Sequence, residues 1–299
     1  MTAPREHELS GRTRFTAIFG DPVEHSLSPA MHNAAYAALG LDRAYAAFHV
    51  TPASLREAVR AIPALGIAGV NLTVPHKERA ARMMAELSEE ARTLRAINCV
   101  VNRESRLYGD NTDARGLAID LRDSGVVLEG RSALIVGAGG AAAAAVLACL
   151  RTGAAQIVLC NRTPERAARL ARRLNRWAVS QGEGRSRHPI DARGLDALTE
   201  RSTFADTALV INATPTGLKT GGFTKLAYGA APDDCVFYDM IYAREPTPFL
   251  ARALALGRRA LDGAGMLVNQ GELAFELFNR LAPPAGVMRG ALMAALGRS

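Results

Sequence analysis

The segment from Ser132 to Val146, SALIVGAGGAAAAAV, constrains the fold more than any other part of this sequence. An apolar run breaks at Gly137, passes through Ala138, Gly139, Gly140 and Ala141, and resumes as an alanine-rich run from Ala142. A strand that turns on glycine straight into a helix accounts for each residue type. Gly137 permits a tight turn, Gly139 lets the backbone approach a pyrophosphate, and small Ala142 lets the helix lie close against the strand. The helix N-terminus then offers unpaired amides and a partial positive charge to phosphates. The pattern predicts a dinucleotide held at residues 137–141.

The following strand, Gln156-Ile-Val-Leu-Cys160, decides which dinucleotide. Sheets that take NAD usually end this strand with an acid for the ribose 2′-hydroxyl. Here it runs on into Asn161-Arg162-Thr163 without a carboxylate. Arg162 suits a 2′-phosphate through charge-assisted bonds, Thr163 can donate a hydroxyl, and Arg166 lies one turn further. The same residues also read as a helix start, with Thr163 as N-cap and Pro164 in the first turn. The two readings are compatible, and the expected cofactor is NADP.

Alternation of strands and helices extends to both sides. RFTAIFG (14–20), RAYAAFHV (43–50) and AGVNLTV (68–74) read as strands, separated by the helical PAMHNAAYAALG (29–40) and SLREAVRAIPALG. NRESRLYGDNT follows RAINCVV as a hairpin turn into a further strand. Beyond the glycine turn, ALVINATP and CVFYDMIY are strands, PFLARALALG is a helix with Gly257 as its cap, and GELAFELFNRL is an amphipathic helix. Strands alternating with helices imply mostly parallel sheets with helices on their faces. Two such blocks in 299 residues predict an α/β chain of two domains, the second of Rossmann type. The C-terminal helices can return to either block, with the chain crossing near Asp113–Gly116. The polar stretch 180–188 reads as a flexible surface loop.

Bulk properties exclude several classes. No apolar run reaches bilayer length, and the N-terminal stretch lacks the apolar core of a secretory signal, so a cytoplasmic location is expected. Cys99, Cys149, Cys160 and Cys235 form no metal-site spacing and read as reduced thiols; no metal is expected. The net charge of +7 is concentrated in residues 162–201. There Arg162, Arg166, Arg169, Arg173 and Arg176 recur opposite Ala167, Leu170, Ala171 and Leu174, the pattern of a helix with a solvated basic face. No nucleic-acid partner is expected.

Three further segments carry candidate chemistry. In GDPVEHSLSPAMHN (20–33), Ser26 and Ser28 lie between a strand and a helix. Ser28 can cap that helix ahead of Pro29, or the two hydroxyls can hold a carboxylate. NLTVPHK (71–77) ends a strand, where ligand sites of parallel sheets gather. Lys77 there is either an acid/base or an exposed lysine at a helix start. In GDNTD (109–113), Asp113 either caps the next helix or pairs with a lysine. Asp110 is the less committed of the two acids.

Taken in order, GDPVEHSLSPAMHN, NLTVPHK, AINCV, GDNTD, GAGGAA, NRT, NATPTG, YDMIY and DGAGMLVNQGELAF resemble the shikimate dehydrogenase family, from about Phe15 to Phe278. The resemblance implies a mostly parallel substrate domain (1–112 and 264–299) completed by the C-terminal helices, a Rossmann-type NADP domain (113–263) inserted into it, and an active site in the interdomain cleft. It implies that Ser26 and Ser28 bind the substrate carboxylate, and that Thr73, Asn98, Asp113 and Gln270 bind ring hydroxyls. Lys77 and Asp113 would be the catalytic pair. Gly137, Gly139 and Gly140, then Asn161, Arg162 and Thr163, would hold NADP. Met240 and Gly263 would lie near the nicotinamide, and Tyr242 near the substrate. The implied reaction is the reversible reduction of 3-dehydroshikimate to shikimate by NADPH, in a monomer or homodimer. The sequence departs from many members at Pro215-Thr216 and Arg244. Rival readings are a quinate/shikimate dehydrogenase with broader substrate or NAD use and a non-catalytic NADP-binding regulatory module; the missing acid after Cys160 argues against NAD but leaves quinate open, and Lys77 with Asp113 argues against the second.

Overall fold

The computed structural model describes residues 9–180, 190–216 and 222–298. The loop expected at 180–188 lies, beyond Ser180, outside the described residues. By internal contacts the chain forms two compact units: Met1–Gly116 with Val268–Ser299, and Leu117–Leu267.

In the first unit, β1 (Arg14–Gly20) runs parallel to β2 (Arg43–His49) on one side and β3 (Gly69–Leu72) on the other. β4 (Glu86–Leu87), β5 (Cys99–Arg103) and β6 (Arg106–Asp110) complete the sheet in the order β2-β1-β3-β5-β6-β4. β5 is antiparallel to both neighbours, so the sheet is mixed at this end. The β5–β6 turn places Glu104 at φ 51° and Ser105 at φ 68°. Two consecutive left-handed residues match the twist of a tight hairpin, here without the usual glycine. The helices are α1 (Ser28–Ala38), α2 (Leu55–Ala64), α3 (Lys77–Ala81) and α4 (Glu89–Leu94). Leu55, Val59 and Ile62 of α2 and Ala80 of α3 cover Ala17, Phe19, Val70, Leu72 and Val100 of the sheet.

The second unit opens with most of α5 (Asp113–Asp123), whose first turn belongs to the first. It continues through β7 (Ser132–Val136), α6 (Gly140–Arg151), β8 (Gln156–Cys160), α7 (Pro164–Ser180) and β9 (Ile190–Arg193). β10 (Thr207–Asn212), β11 (Val236–Asp239), α8 (Pro248–Ala255) and β12 (Arg259–Leu261) follow. All strands are parallel, in the order β12-β11-β10-β7-β8-β9. This is the doubly wound order in which the chain reverses direction between β7 and β10, and ligands of such sheets bind at the carboxyl ends there. Ala142–Leu150 of α6 are all buried, and their small residues allow close packing on the sheet. Ala167, Leu170, Ala171 and Leu174 of α7 face inward while Arg166, Arg169 and Arg176 face water. Arg162 is not part of that basic face, because the helix begins only at Pro164.

Two helices return to the first unit. α9 (Ala264–Asn279) starts well before the GELAFELFNRL segment that suggested it, because its first turns lack an apolar period. α10 (Val287–Leu296) packs on α1. Beneath them lies His32 of α1, 1% exposed, stacked on Tyr45 at 4.2 Å and flanked by Phe275 and Phe278. Burial pushes its pKa down from 6.5 to about 3. Between those values the unfolded chain takes up a proton that the folded chain refuses, so this stability is lost as pH falls through that window. The slope is about 1.4 kcal/mol per pH unit. His32→Phe, which keeps a ring on Tyr45 and cannot titrate, is expected to lose about 2 kcal/mol less than the wild type between roughly pH 6.5 and pH 5. Urea unfolding at both pH values measures this; equal acid losses in the two proteins would disprove it.

Candidate active site

The carboxyl ends of β1 and β3 bring two loops together. Asp21 N–H donates to the Val74 carbonyl at 3.1 Å, and Thr73 N–H to the Phe19 carbonyl at 3.0 Å. Ser26 and Ser28 sit on the first loop, Thr73 on the second. Ser28 does not cap α1: it is the first helical residue, and no side chain caps the preceding Leu27 position. Instead Ser26 Oγ accepts from Ser28 N–H at 3.3 Å. The Thr73 loop passes directly into α3, whose first residue is Lys77.

Lys77 Nζ donates to Asp113 Oδ2 at 2.7 Å, with the side chains 29% and 11% exposed. Asp113 is the first residue of α5 rather than its cap, and its backbone N–H donates to Asn111 Oδ1. Its other carboxylate oxygen accepts from Asn98 Nδ2 at 2.7 Å. The same amide nitrogen lies 2.9 Å from Thr112 Oγ1 and 3.3 Å from Gln270 Oε1. Thr112 N–H donates back to Asn98 Oδ1 at 2.8 Å. Lys77, Asn98, Asp113 and Gln270, from α3, the residue just before β5, α5 and α9, thus form one connected polar group. A half-buried ammonium against a buried carboxylate, ringed by amides, can orient a hydroxylated ligand and exchange a proton with it.

Asp110 is far from uncommitted. Its carboxylate accepts from Ser88 Oγ at 2.5 Å, Arg115 at 2.6 Å and Asn111 N–H at 2.7 Å. It is a structural ion that fixes the turn leading into Asp113.

In the second unit Gly137 closes β7 at φ 127°, and a Cβ there would meet the Ala213 carbonyl oxygen at 2.9 Å. The fold itself requires glycine at that position. Gly139, the N-cap of α6, and Gly140 are different: both are exposed, and a Cβ on either would meet nothing within 4 Å. Among the described residues no neighbour demands glycine there. The open cradle of Gly139, Gly140 and the neighbouring exposed Ala141, at the head of a helix and at the switch point of the sheet, fits a pyrophosphate. After β8, Asn161 Nδ2 donates to the Thr163 carbonyl at 2.9 Å, and Arg162, Thr163 and Arg166 are exposed. Arg162 forms no ion pair with any described residue.

Met240 and Gly263 meet beside β10. Met240 N–H donates to the Asn212 carbonyl at 3.0 Å, and a Cβ on Gly263 would meet the Met240 carbonyl oxygen at 2.5 Å. Tyr242 is half-buried, and burial raises its pKa. The residues that organise this corner, Asn212 and Asp239, were not singled out from sequence. Buried Asp239 accepts from Thr247 Oγ1 at 2.5 Å, Asn212 Nδ2 at 3.0 Å and Ile241 N–H at 3.1 Å. Asn212 Oδ1 in turn accepts from Thr214 N–H and hydroxyl. Their signal was the placement of Asn and Asp as the last residues of two apolar strands.

Residues 18–100 match the shikimate dehydrogenase substrate binding domain, 121–182 the shikimate/quinate 5-dehydrogenase family, and 263–293 the shikimate 5′-dehydrogenase C-terminal domain. A curated relative from Symbiobacterium thermophilum, shikimate dehydrogenase (NADP(+)), is 40% identical over 98% of both chains. The solved shikimate 5-dehydrogenase of Thermus thermophilus, in complex with NADP(H) and shikimate, is 34% identical, with TM-score 0.81 over 95% of this chain and all of that one. Quinate dehydrogenase of Corynebacterium glutamicum, in complex with NAD, is 28% identical with TM-score 0.84, over 94% of this chain and 99% of that one. Backbone likeness alone therefore does not separate the two substrates. Sequence identity and the order of strands and helices agree that the chain belongs to the shikimate dehydrogenase family.

Proposed function

We propose that the chain is an NADP-dependent shikimate dehydrogenase that reversibly reduces 3-dehydroshikimate to shikimate. The observation that carries this reading is the Lys77–Asp113 pair at 2.7 Å, bonded through Asn98 to Gln270. The full-length relatives named for this activity support it.

Ser26 and Ser28 hold the substrate carboxylate, and Thr73, Asn98, Asp113 and Gln270 hold the ring hydroxyls, with Tyr242 against the substrate. Reduction builds negative charge on the carbonyl oxygen. The Lys77 ammonium stabilises that oxygen and gives it a proton; in oxidation the neutral amine takes the hydroxyl proton. Asp113 holds the lysine and a substrate hydroxyl in line. Bound NADPH supplies the hydride. Gly137, Ala138, Gly139, Gly140 and Ala141 hold its pyrophosphate, Asn161, Arg162, Thr163 and Arg166 its 2′-phosphate, and Met240 and Gly263 its nicotinamide. The finer setting is a cytoplasmic monomer or homodimer without a nucleic-acid partner. Among the described residues no helix is long and apolar enough to cross a membrane.

The test is one assay crossing shikimate and quinate with NADP and NAD. Shikimate with NADP is expected to give the highest kcat/KM. Preference for quinate with NAD would move the assignment to quinate oxidation. Cofactor binding without turnover of either acid would reduce it to a dinucleotide-binding module.

A further inference from the structure

The dinucleotide-binding sheet carries a buried charge that the reaction leaves without a task. Asn212 and Asp239 end β10 and β11 as register partners in adjacent parallel strands, and both are 0% exposed. The Asp239 carboxylate accepts three hydrogen bonds. Oδ1 takes Asn212 Nδ2 at 3.0 Å and Ile241 N–H at 3.1 Å, and Oδ2 takes Thr247 Oγ1 at 2.5 Å. All three donors are neutral. Burial pushes the pKa of this acid up, and the three bonds oppose that push. Burying a carboxylate against neutral donors is unfavourable, and an ordinary turn after a strand needs no such ion.

What the ion holds explains its place. The chain from Met240 to Thr247 is neither strand nor helix. Asp239 grips it at both ends: at Ile241 N–H, directly after Met240, and at Thr247, the N-cap of α8, whose hydroxyl oxygen also accepts from Leu250 N–H. Asn212, held by Asp239 through its amide, completes the clamp. Its carbonyl accepts from Met240 N–H at 3.0 Å, and its Oδ1 accepts from Thr214 N–H at 3.0 Å and Thr214 Oγ1 at 2.7 Å. Gly263 N–H donates to the Ile241 carbonyl at 3.1 Å and closes the far side. Met240 is therefore fixed through its own N–H, through the N–H of the next residue, and by the close approach of Gly263 to its carbonyl.

We propose that Asp239 is the positioning residue for the nicotinamide end of the cofactor: its carboxylate, bonded to Ile241 N–H, Asn212 and Thr247, sets where Met240 stands at the edge of the sheet. Asp239 acts through Met240 and touches neither cofactor nor substrate. Its acceptor geometry does this, so an uncharged side chain with an oxygen in the same place serves as well. This inference rests on the assignment of Met240 and Gly263 to the nicotinamide.

The test reads the two ends of the cofactor separately in the full chain. Fluorescence anisotropy of bound NADPH reports how firmly the nicotinamide is held, and kcat for shikimate reports its placement. Affinity for adenosine 2′,5′-bisphosphate, which has no nicotinamide, reports the other end. Asp239→Ala is expected to lower the anisotropy toward that of free NADPH and kcat by about tenfold or more, with bisphosphate affinity within about twofold of wild type. Asp239→Asn keeps an oxygen for Asn212 and Ile241 and turns its amide toward the Thr247 hydroxyl, so it is expected to restore anisotropy and to hold kcat within about threefold of wild type. Thr247→Val removes one hydroxyl and keeps the side-chain shape; it is expected to lower kcat about fourfold, again sparing the bisphosphate, and it decides the matter where the alanine variant does not fold. A merely structural Asp239 would weaken the bisphosphate along with everything else. That result, or unchanged anisotropy and kcat in the alanine and valine variants, or an asparagine variant as poor as the alanine, overturns the proposal. Met240→Ala separately tests the underlying assignment: unchanged anisotropy and kcat in that variant remove the nicotinamide contact, and the proposal with it.

Discussion

Lys77→Ala is expected to lower kcat for shikimate oxidation by about 10²–10⁴-fold, the range in which a positioned proton donor or acceptor contributes. The fold survives the change. Lys77 is partly exposed at the start of a short helix, and the Ile97 N–H bond to its carbonyl does not involve its side chain. Loss of the ammonium leaves the buried Asp113 carboxylate without its cation but still bonded to Asn98. Stability therefore falls by about 1–3 kcal/mol, the cost of a buried polar group that loses one partner. Lys77→Arg separates charge from proton transfer. Guanidinium keeps the positive charge but does not give up a proton. It is expected to retain much of the substrate affinity while kcat stays close to that of the alanine variant. Steady-state rates with melting curves check both variants, and a Lys77→Ala enzyme within threefold of the wild-type kcat refutes the proton role.

Arg162→Ala is expected to weaken NADPH by about 10- to 100-fold and NADH by less than about threefold. A hydrogen bond to a charged group contributes about 1.5–3 kcal/mol, which sets that range. Only NADPH carries the 2′-phosphate that the guanidinium would meet. Arg162 is exposed and forms no ion pair with any described residue, so its removal leaves no buried charge behind. Binding titrations with both nucleotides measure the ratio. Equal losses for the two would mean that Arg162 serves the sheet or the pyrophosphate and does not select the cofactor.

The glycine turn, the alternating strands and the basic face of α7 were legible because each writes a short-range period or a special backbone demand into consecutive residues. The two-residue β4 and three-residue β12 carry no period to read. The start of α9 was missed because Ala264, Gly265 and Met266 show no stripe. Lys77 and Asp113 were legible as candidates one by one, and only the family resemblance joined them as a pair, since they lie far apart in sequence and nothing in either segment encodes the 2.7 Å between them. Asp110 looked spare for the same reason. Its partners Ser88 and Arg115 come from two other elements. A buried carboxylate is defined by partners that folding brings to it. Asn212 and Asp239 escaped because polar residues ending apolar strands also suit ordinary turns.

The stretch Leu117–Leu267 interrupts the first unit in sequence, and α9 and α10 complete that unit only at the end of the chain. During synthesis the dinucleotide-binding sheet leaves the ribosome as a continuous segment and can close on local contacts alone. The sheet of the first unit must meanwhile wait, with Met31, His32, Tyr36 and Tyr45 uncovered, until Phe275, Phe278 and Met288 emerge. Truncating the chain before α9 should therefore release a nascent species that binds nucleotide yet recruits chaperones through that bare face.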